Sequence, residues 1–594
     1  MGEPGTPARP AAAFPAGPAL ARIRGPLLFA AALLAIGLTA RFATVFTESI
    51  NWDEFAVMAR ADRAARLGDL AVGGRPGLMT LALVPFVRDC VNSVTTVVHA
   101  RIAWQLINLL YLTGLFALVV RWHRRAGERG SGVPEGLFAV LLVAFLPVFV
   151  TWSVQVRADQ AALAAAIWGG FMLLSRSNWS TLASGGLFGV AILFSQKGVY
   201  TAAAAVTLLF TAAMGRVMAQ QADWKAELRA SVKACALAAI TCTATLALYF
   251  LLVPEASHVA TPGAVTSSWD QMAWVREKLG FRAYRAQAPG MPVHWLLFAT
   301  LIIATARAAG SGCREAVPVL ATSWLMLLLG SLVAFVHGAG FAYFLMTVAL
   351  FAGLALAPMA TRLAAAVPSM PGAVLAMLAV VLFIGAAPAT LQMLHGSQVH
   401  QRRTMDFINT TSLSGRRGFQ TEGALFCTGD PDPLPVIFSH QIARRLQGNP
   451  QAIESFLAEF RSRPIAYIVE SYRMNEFPPE VRQFWSAHYL RHSGPLLVLG
   501  SSVGGQDAAA AIEILAAGQY RWTPGTRDSR AALRIGATTI EPGGSAALTP
   551  GLHRVETDPT GMAGTLSLDL PAWPQEDLIP FYDERQLHLI AGRQ

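Results

Sequence analysis

A chain of 594 residues that is 54% hydrophobic and only 14% charged departs from the roughly 25% charged residues of an ordinary soluble domain, which excludes a conventional soluble fold and points to lipid. A net charge of +10 would suit a nucleic-acid binder if it were gathered on one face, but Lys and Arg fall between apolar runs, the pattern of membrane orientation, so no nucleic-acid partner is expected. The five cysteines, Cys90, Cys235, Cys242, Cys313 and Cys427, are scattered, and neither metal-ligand spacing nor a disulfide framework follows from them.

Residues 1–25, rich in Ala, Pro and Gly, read as a disordered cytoplasmic tail. Residues 26–46 supply the ~20 apolar positions a spanning helix needs and exceed a signal-peptide core, so they read as a retained first helix. Further apolar runs at 99–120, 133–151, 158–174, 181–194, 199–214, 232–253, 293–309, 316–336, 341–357 and 372–390 bring the expected total to about eleven spans.

With a cytoplasmic N-terminus, every inward connection is basic: Arg121, Arg124, Arg125 and Arg129, then Arg176, then Arg216, Lys225 and Arg229, then Arg307 and Arg314, and last Arg362. An odd number of spans places everything after residue 390 outside. The expected fold class is therefore mainly α: a polytopic transmembrane helix bundle over 26–391, an extracytoplasmic α/β unit over 392–506 and a small β-sandwich over 507–594. Short buried strands at 465–469 and 496–499 and helices at 452–461 and 479–488 fit the first unit. Short strands with Gly and Pro turns fit the second.

Polar residues that break the apolar pattern gather at the outward ends of the spans. The first is Asn51-Trp52-Asp53-Glu54-Phe55, at the outer end of the first run. Two adjacent carboxylates at a membrane face are placed to accept a proton or to hold a divalent cation such as Mg, Mn or Zn. They equally suit the first turn of an interfacial helix, where acids oppose the helix dipole. Arg75 and Pro76 open an apolar segment on the same side, where an arginine can also snorkel to headgroups.

Arg157 and Asp159 stand at the next outward turn, Asp159 as a possible cap and Arg157 against the positive-inside trend. Lys197, in Ser195-Gln196-Lys197-Gly198, lies between two short spans, so it sits within the depth of the outer leaflet. A charge there is costly and is a functional candidate by default. His337 and Tyr343 interrupt the outward junction of two late spans. Acids for a nucleophile's proton and cations for a leaving phosphate are what a displacement at a sugar's anomeric carbon needs.

In the order and sidedness of these parts the sequence resembles the GT-C membrane glycosyltransferases, and in particular the bacterial branch similar to protein O-mannosyltransferases and lipid A aminoarabinose transferases. The resemblance rests on the Asp53-Glu54 pair in the first outer loop, Arg75-Pro76, the Arg157-x-Asp159 turn, Lys197-Gly198, and His337 near Tyr343, and it covers residues 23–391. The usual Arg-Pro-Pro reads Arg-Pro-Gly here, and a histidine stands where the late arginine is usual.

The resemblance implies a multi-pass enzyme of a bacterial inner membrane that takes a sugar from a polyprenyl-monophosphate donor to a glycan, lipid or protein hydroxyl with inversion. It implies Asp53 as general base with Glu54 and Asp159 beside it, a donor phosphate on Lys197, Arg75, Arg157, His337 and Tyr343, and a divalent cation, if one is used, at Asp53 and Glu54. Three other readings compete: a polysaccharide ligase or polymerase with a diphosphate-linked donor, a transporter, and a non-catalytic relative that keeps the fold for scaffolding or lipid binding, against which the acids and Lys197 argue. A ligase would carry its large outer loop late in the chain, and a transporter would show two matching halves, which this sequence lacks.

Overall fold

A computed structural model describes residues 16–68, 77–90, 92–127, 131–175, 177–253, 292–311, 316–336, 345–365, 370–420, 423–428, 439–504, 510–526, 530–558, 562–571 and 581. Each expected apolar run is occupied by helix: α1 Ala16–Thr44, α4 Ser93–Arg125, α5 Val133–Ala144 with α6 Pro147–Trp152, α7 Ala158–Leu173, α8 Asn178–Phe194, α9 Gly198–Met218, α10 Trp224–Leu252, α11 Pro292–Ser311, α12 Val317–Val336, α13 Leu345–Ala365 and α14 Pro371–Leu394. Among the described residues, five helices are long and apolar enough to cross a membrane, and shorter apolar helices accompany them. The first helix begins at Ala16, inside the stretch expected to be a disordered tail, because Ala and Leu there favour helix.

The run at 133–151 is broken rather than continuous. Pro147 cannot donate a backbone hydrogen bond, so α5 ends at Ala144 and α6 restarts at Pro147. The buried guanidinium of Arg41 donates to the carbonyl of Ala144, placing a cation at the end of α5 where the helix dipole favours one.

In the bundle α7 packs on α4, α8 and α9, α8 on α10, α1 on α14, and α13 on α5 and α12. Helix α8 approaches α10 so closely that a Cβ at Gly185 would collide with the Ala238 carbonyl, the small-residue contact that brings helices together in lipid. Leu28, Leu251 and Trp179 are 72%, 78% and 83% exposed on the outside of this bundle, as side chains facing lipid would be.

Two further helices, α2 Trp52–Leu67 and α3 Leu78–Val87, lie between α1 and α4. Asn51 and Glu54 start α2 with a capping box, and Gly68, at φ 69°, ends it in the left-handed region. These two helices do not join the core of the bundle. Phe55, Met58, Met79 and Leu83 belong to a second hydrophobic cluster together with Phe426, Phe460, Trp485 and Trp522 of the C-terminal region.

That region opens with α15 Val399–Thr410 and continues through α16 Ser439–Leu446, α17 Pro450–Ser462 and α18 Pro479–His488. Its strands are β1 Gly418–Phe419, β2 Tyr467–Val469, β3 Tyr489–Ser493, β4 Leu496–Val503, β5 Ala510–Ile514, β6 Gly518–Pro524, β7 Ala532–Ile535, β8 Thr538–Ile540, β9 Ser545–Leu548, β10 Gly551–Asp558 and β11 Gly564–Leu568. A seven-stranded sheet runs β1-β2-β4-β11-β6-β9 with β3 also on β4, and a four-stranded sheet runs β5-β10-β7-β8.

The boundary expected between 506 and 507 falls between β4 and β5. β4, before it, pairs antiparallel with β11, after it, with Gly564 opposite Val503. Local patterning locates strands but carries no information on which distant strand closes a sheet. Cys90 and Cys427, for which the sequence suggested no disulfide, are bonded across 337 residues, with Cα atoms 5.4 Å apart. The bond joins the loop before α4 to the C-terminal region.

Candidate active site

The C-terminal ends of α1 and α8 and the N-terminal ends of α4 and α7 meet around the start of α2. Glu54 is wholly buried and so is Arg101 of α4. Arg101 Nε donates to Glu54 Oε1 at 2.8 Å and Nη2 to Oε2 at 2.5 Å, while the backbone N–H groups of Asn51 and Val156 donate to the same carboxylate at 3.1 and 2.9 Å. Four donors on two oxygens occupy the acceptor sites of Glu54 and leave none for a cation. It ties the entry of α2 to α4 and to the segment before α7.

Asp53 points the other way. Its backbone N–H donates to the Asn51 side chain at 2.9 Å, and its Oδ2 lies 3.0 Å from Arg157 Nη2, with a quarter of its side chain still exposed. Arg157 is the residue before α7. Its Nε donates to Gln155 Oε1 at 2.8 Å, its guanidinium lies 4.7 Å from the centroid of the Trp152 ring, and its carbonyl accepts from Trp104 Nε1 at 2.7 Å. The guanidinium is thus held on three sides before any ligand arrives.

Two residues on, Asp159 lies in the first turn of α7. Lys197 Nζ lies 3.0 Å from both of its carboxylate oxygens, and Ser195 Oγ donates to Oδ1 at 2.9 Å. Lys197 is 9% exposed. The turn that presents it depends on Gly198, where a Cβ would come within 2.8 Å of the Ala191 carbonyl carbon. Asp53, Arg157, Asp159 and Lys197 form one alternating string of charges, acid, base, acid, base, drawn from three separate parts of the chain.

Arg75, His337 and Tyr343 lie outside the described residues. A divalent cation bridging Asp53 and Glu54 does not fit this donor set, since Glu54 is saturated and Asp53 faces a guanidinium. Among the described residues no group of three or more His, Cys, Asp or Glu side chains could hold a metal.

Arg101 was not singled out in the sequence, although an arginine within an apolar run is itself a signal. Gln155, Ser195 and the C-terminal glutamines Gln398 and Gln401, which hold the segment before Asn51, carried no signal in sequence.

No family model and no curated protein matches the chain. Among solved structures, ArnT from Cupriavidus metallidurans in the apo state superposes with a TM-score of 0.51 over 79% of this chain and 97% of ArnT, at 12% identity. The chain shares the fold of that GT-C membrane glycosyltransferase. The arabinosyltransferase EmbB from Mycobacterium smegmatis is also similar, at 13% identity, but with a TM-score of 0.36 and with the chain spanning only 65% of its length. At these identities the likeness is one of fold alone.

Proposed function

We propose that this chain is a glycosyltransferase that moves a sugar from a polyprenyl-monophosphate donor to a hydroxyl acceptor on the outer face of a bacterial inner membrane. The observation that carries this reading is the single string Asp53, Arg157, Asp159 and Lys197 at one end of a GT-C bundle. It sets the partly exposed Asp53 carboxylate beside one cation, Arg157, and links a second, Lys197, to the same string through Asp159.

In this reading Lys197 and Arg157 receive the donor phosphate, with Arg75, His337 and Tyr343 as further candidates. Asp53 takes the proton from the acceptor hydroxyl as that oxygen attacks the anomeric carbon. The bond from that carbon to the phosphate oxygen breaks on the opposite face, the configuration inverts, and polyprenyl phosphate leaves with its added charge held by the cations. Asp159 orients the Lys197 ammonium, and Glu54 keeps the backbone of Asp53 in place.

Outward placement of this face is supported by the Lys and Arg excess in the loops at the opposite end of the helices. The Cys90–Cys427 bond agrees with it, since disulfides persist in oxidising compartments and both cysteines must lie on one side.

Sugar transfer in vesicles tests the reading. Purified protein meets a panel of polyprenyl-monophosphate sugars and envelope-extract acceptors, and release of polyprenyl phosphate is followed. Donor-dependent release is expected from the wild type and a fall of at least about 100-fold from Asp53→Asn. Unchanged turnover by Asp53→Asn would refute the assignment of the base, and release from diphosphate-linked donors alone would refute the donor class.

A further inference from the structure

Residues 45–51, which lead from α1 into α2, form turns and extended chain with no helix or strand of their own. Buried backbone N–H and C=O groups in such a segment must find partners elsewhere. They find them on two sides. From α4, Arg101 donates to the carbonyls of Glu48 and Ser49 at 2.7 and 3.0 Å.

From beyond α14, Gln398 Nε2 donates to the carbonyls of Val45 and Glu48, both at 2.8 Å. Gln401 accepts from the Ile50 N–H at 2.8 Å and donates to the Ile50 carbonyl at 2.9 Å. The Thr47 hydroxyl donates in return to the Met393 carbonyl at 2.9 Å.

Gln398 and Gln401 are 3% and 2% exposed and stand three residues apart at the start of α15, so their amides share one face. A primary amide that engages both backbone groups of one residue fixes it as a neighbouring strand would. Ile50 is followed at once by Asn51, the cap that receives the Asp53 N–H. An error in the position of Ile50 is therefore passed to the Asp53 carboxylate with little chain in between to absorb it.

We propose that Gln401, assisted by Gln398, is a positioning residue that sets the Asp53 carboxylate against Arg157. The extramembrane C-terminal region thus reaches back to fix the base of the reaction. This rests on the reading of Asp53 as the base. A displacement of about 1 Å at a reacting group can lower turnover by about 100-fold, so the clamp acts on kcat, while donor binding stays with Lys197 and Arg157, which Asp159, Gln155 and the Trp152 ring hold independently of this segment.

The test uses the full chain in lipid nanodiscs as wild type, Gln401→Ala and Gln398→Ala, read by amide hydrogen exchange and by donor kinetics. Removal of the Gln401 amide is expected to speed exchange over residues 48–55 by about 10-fold or more while α9 stays protected. Gln398→Ala should move the same segment by less, and it supplies the reading if Gln401→Ala does not fold. In turnover, Gln401→Ala should lower kcat by about 10- to 100-fold with the donor KM within about 2-fold, and should add no further loss to Asp53→Asn.

Unchanged exchange over 48–55 would overturn the proposal whatever the activity. Faster exchange with unchanged kcat would overturn it as well, by reducing the clamp to scaffolding. If wild type releases no polyprenyl phosphate from any donor, the functional reading fails, and the exchange result still decides whether the glutamines hold the segment.

Discussion

Replacing Arg101 by Met keeps the length of a buried stem and removes its donors, which isolates what the guanidinium does. Glu54 would lose two of its four hydrogen bonds, and the carbonyls of Glu48 and Ser49 would each lose one. Breaking a buried ion pair from one side costs about 3–5 kcal/mol because the other charge is stranded. The Glu48 carbonyl keeps Gln398 as a donor, so its share is small and about 3 kcal/mol is a fair lower bound.

Glu54→Gln should cost a comparable amount by stranding Arg101. The double variant removes both charges and should lose less than the sum, with a coupling energy of about 2 kcal/mol or more. Titration with SDS in mixed micelles, followed by near-UV circular dichroism, gives the three unfolding free energies. Asp53→Asn is the control: its carboxylate is partly exposed, so stability should move by less than about 1 kcal/mol while transfer is lost. A cost below about 1 kcal/mol for Arg101→Met, together with additivity in the cycle, would refute the argument that Glu54 is a buried tie and Asp53 the reactive member of the pair.

The other predictions concern the cations and the tether. Lys197→Met should raise the donor KM by about 10-fold or more, read from initial rates in vesicles, since a charge-assisted contact to phosphate is worth about 1.5–3 kcal/mol. Gly198→Val should reduce transfer and lower thermal stability in detergent together, because its side chain meets the Ala191 carbonyl and pushes α9 from α8. Cys90→Ser should leave Cys427 open to maleimide on intact outer-face vesicles and weaken attachment of the C-terminal region by about 2–5 kcal/mol, measured by its susceptibility to protease.

The charged members of the candidate site stand out in the sequence because charge is scarce in this part of the chain. A carboxylate pair, an Arg-x-Asp turn and a lysine stand out against apolar runs, and each marks a place where solvation has been given up for a partner. The structure pairs Asp53 with Arg157 and Asp159 with Lys197, a matching that spacing alone could not supply, since each partner comes from another segment. Arg101 was missed for a different reason: it lies near the start of a long apolar run and passes for an end residue, whereas α4 begins at Ser93 and carries Arg101 into the buried core.

The disulfide and the sheet closed by β11 were illegible for a common physical reason, namely that both join residues far apart in sequence whose meeting depends on the whole fold. The glutamines of α15 show the same limit most sharply. Gln398 and Gln401 sit in a stretch of ordinary soluble polarity, where a glutamine is unremarkable, and only burial turns their amides into backbone partners. Among apolar helices a polar residue marks itself as a candidate by its cost. In the more polar C-terminal region it does not, so the parts of this candidate site contributed from beyond α14 are those that sequence reading passes over.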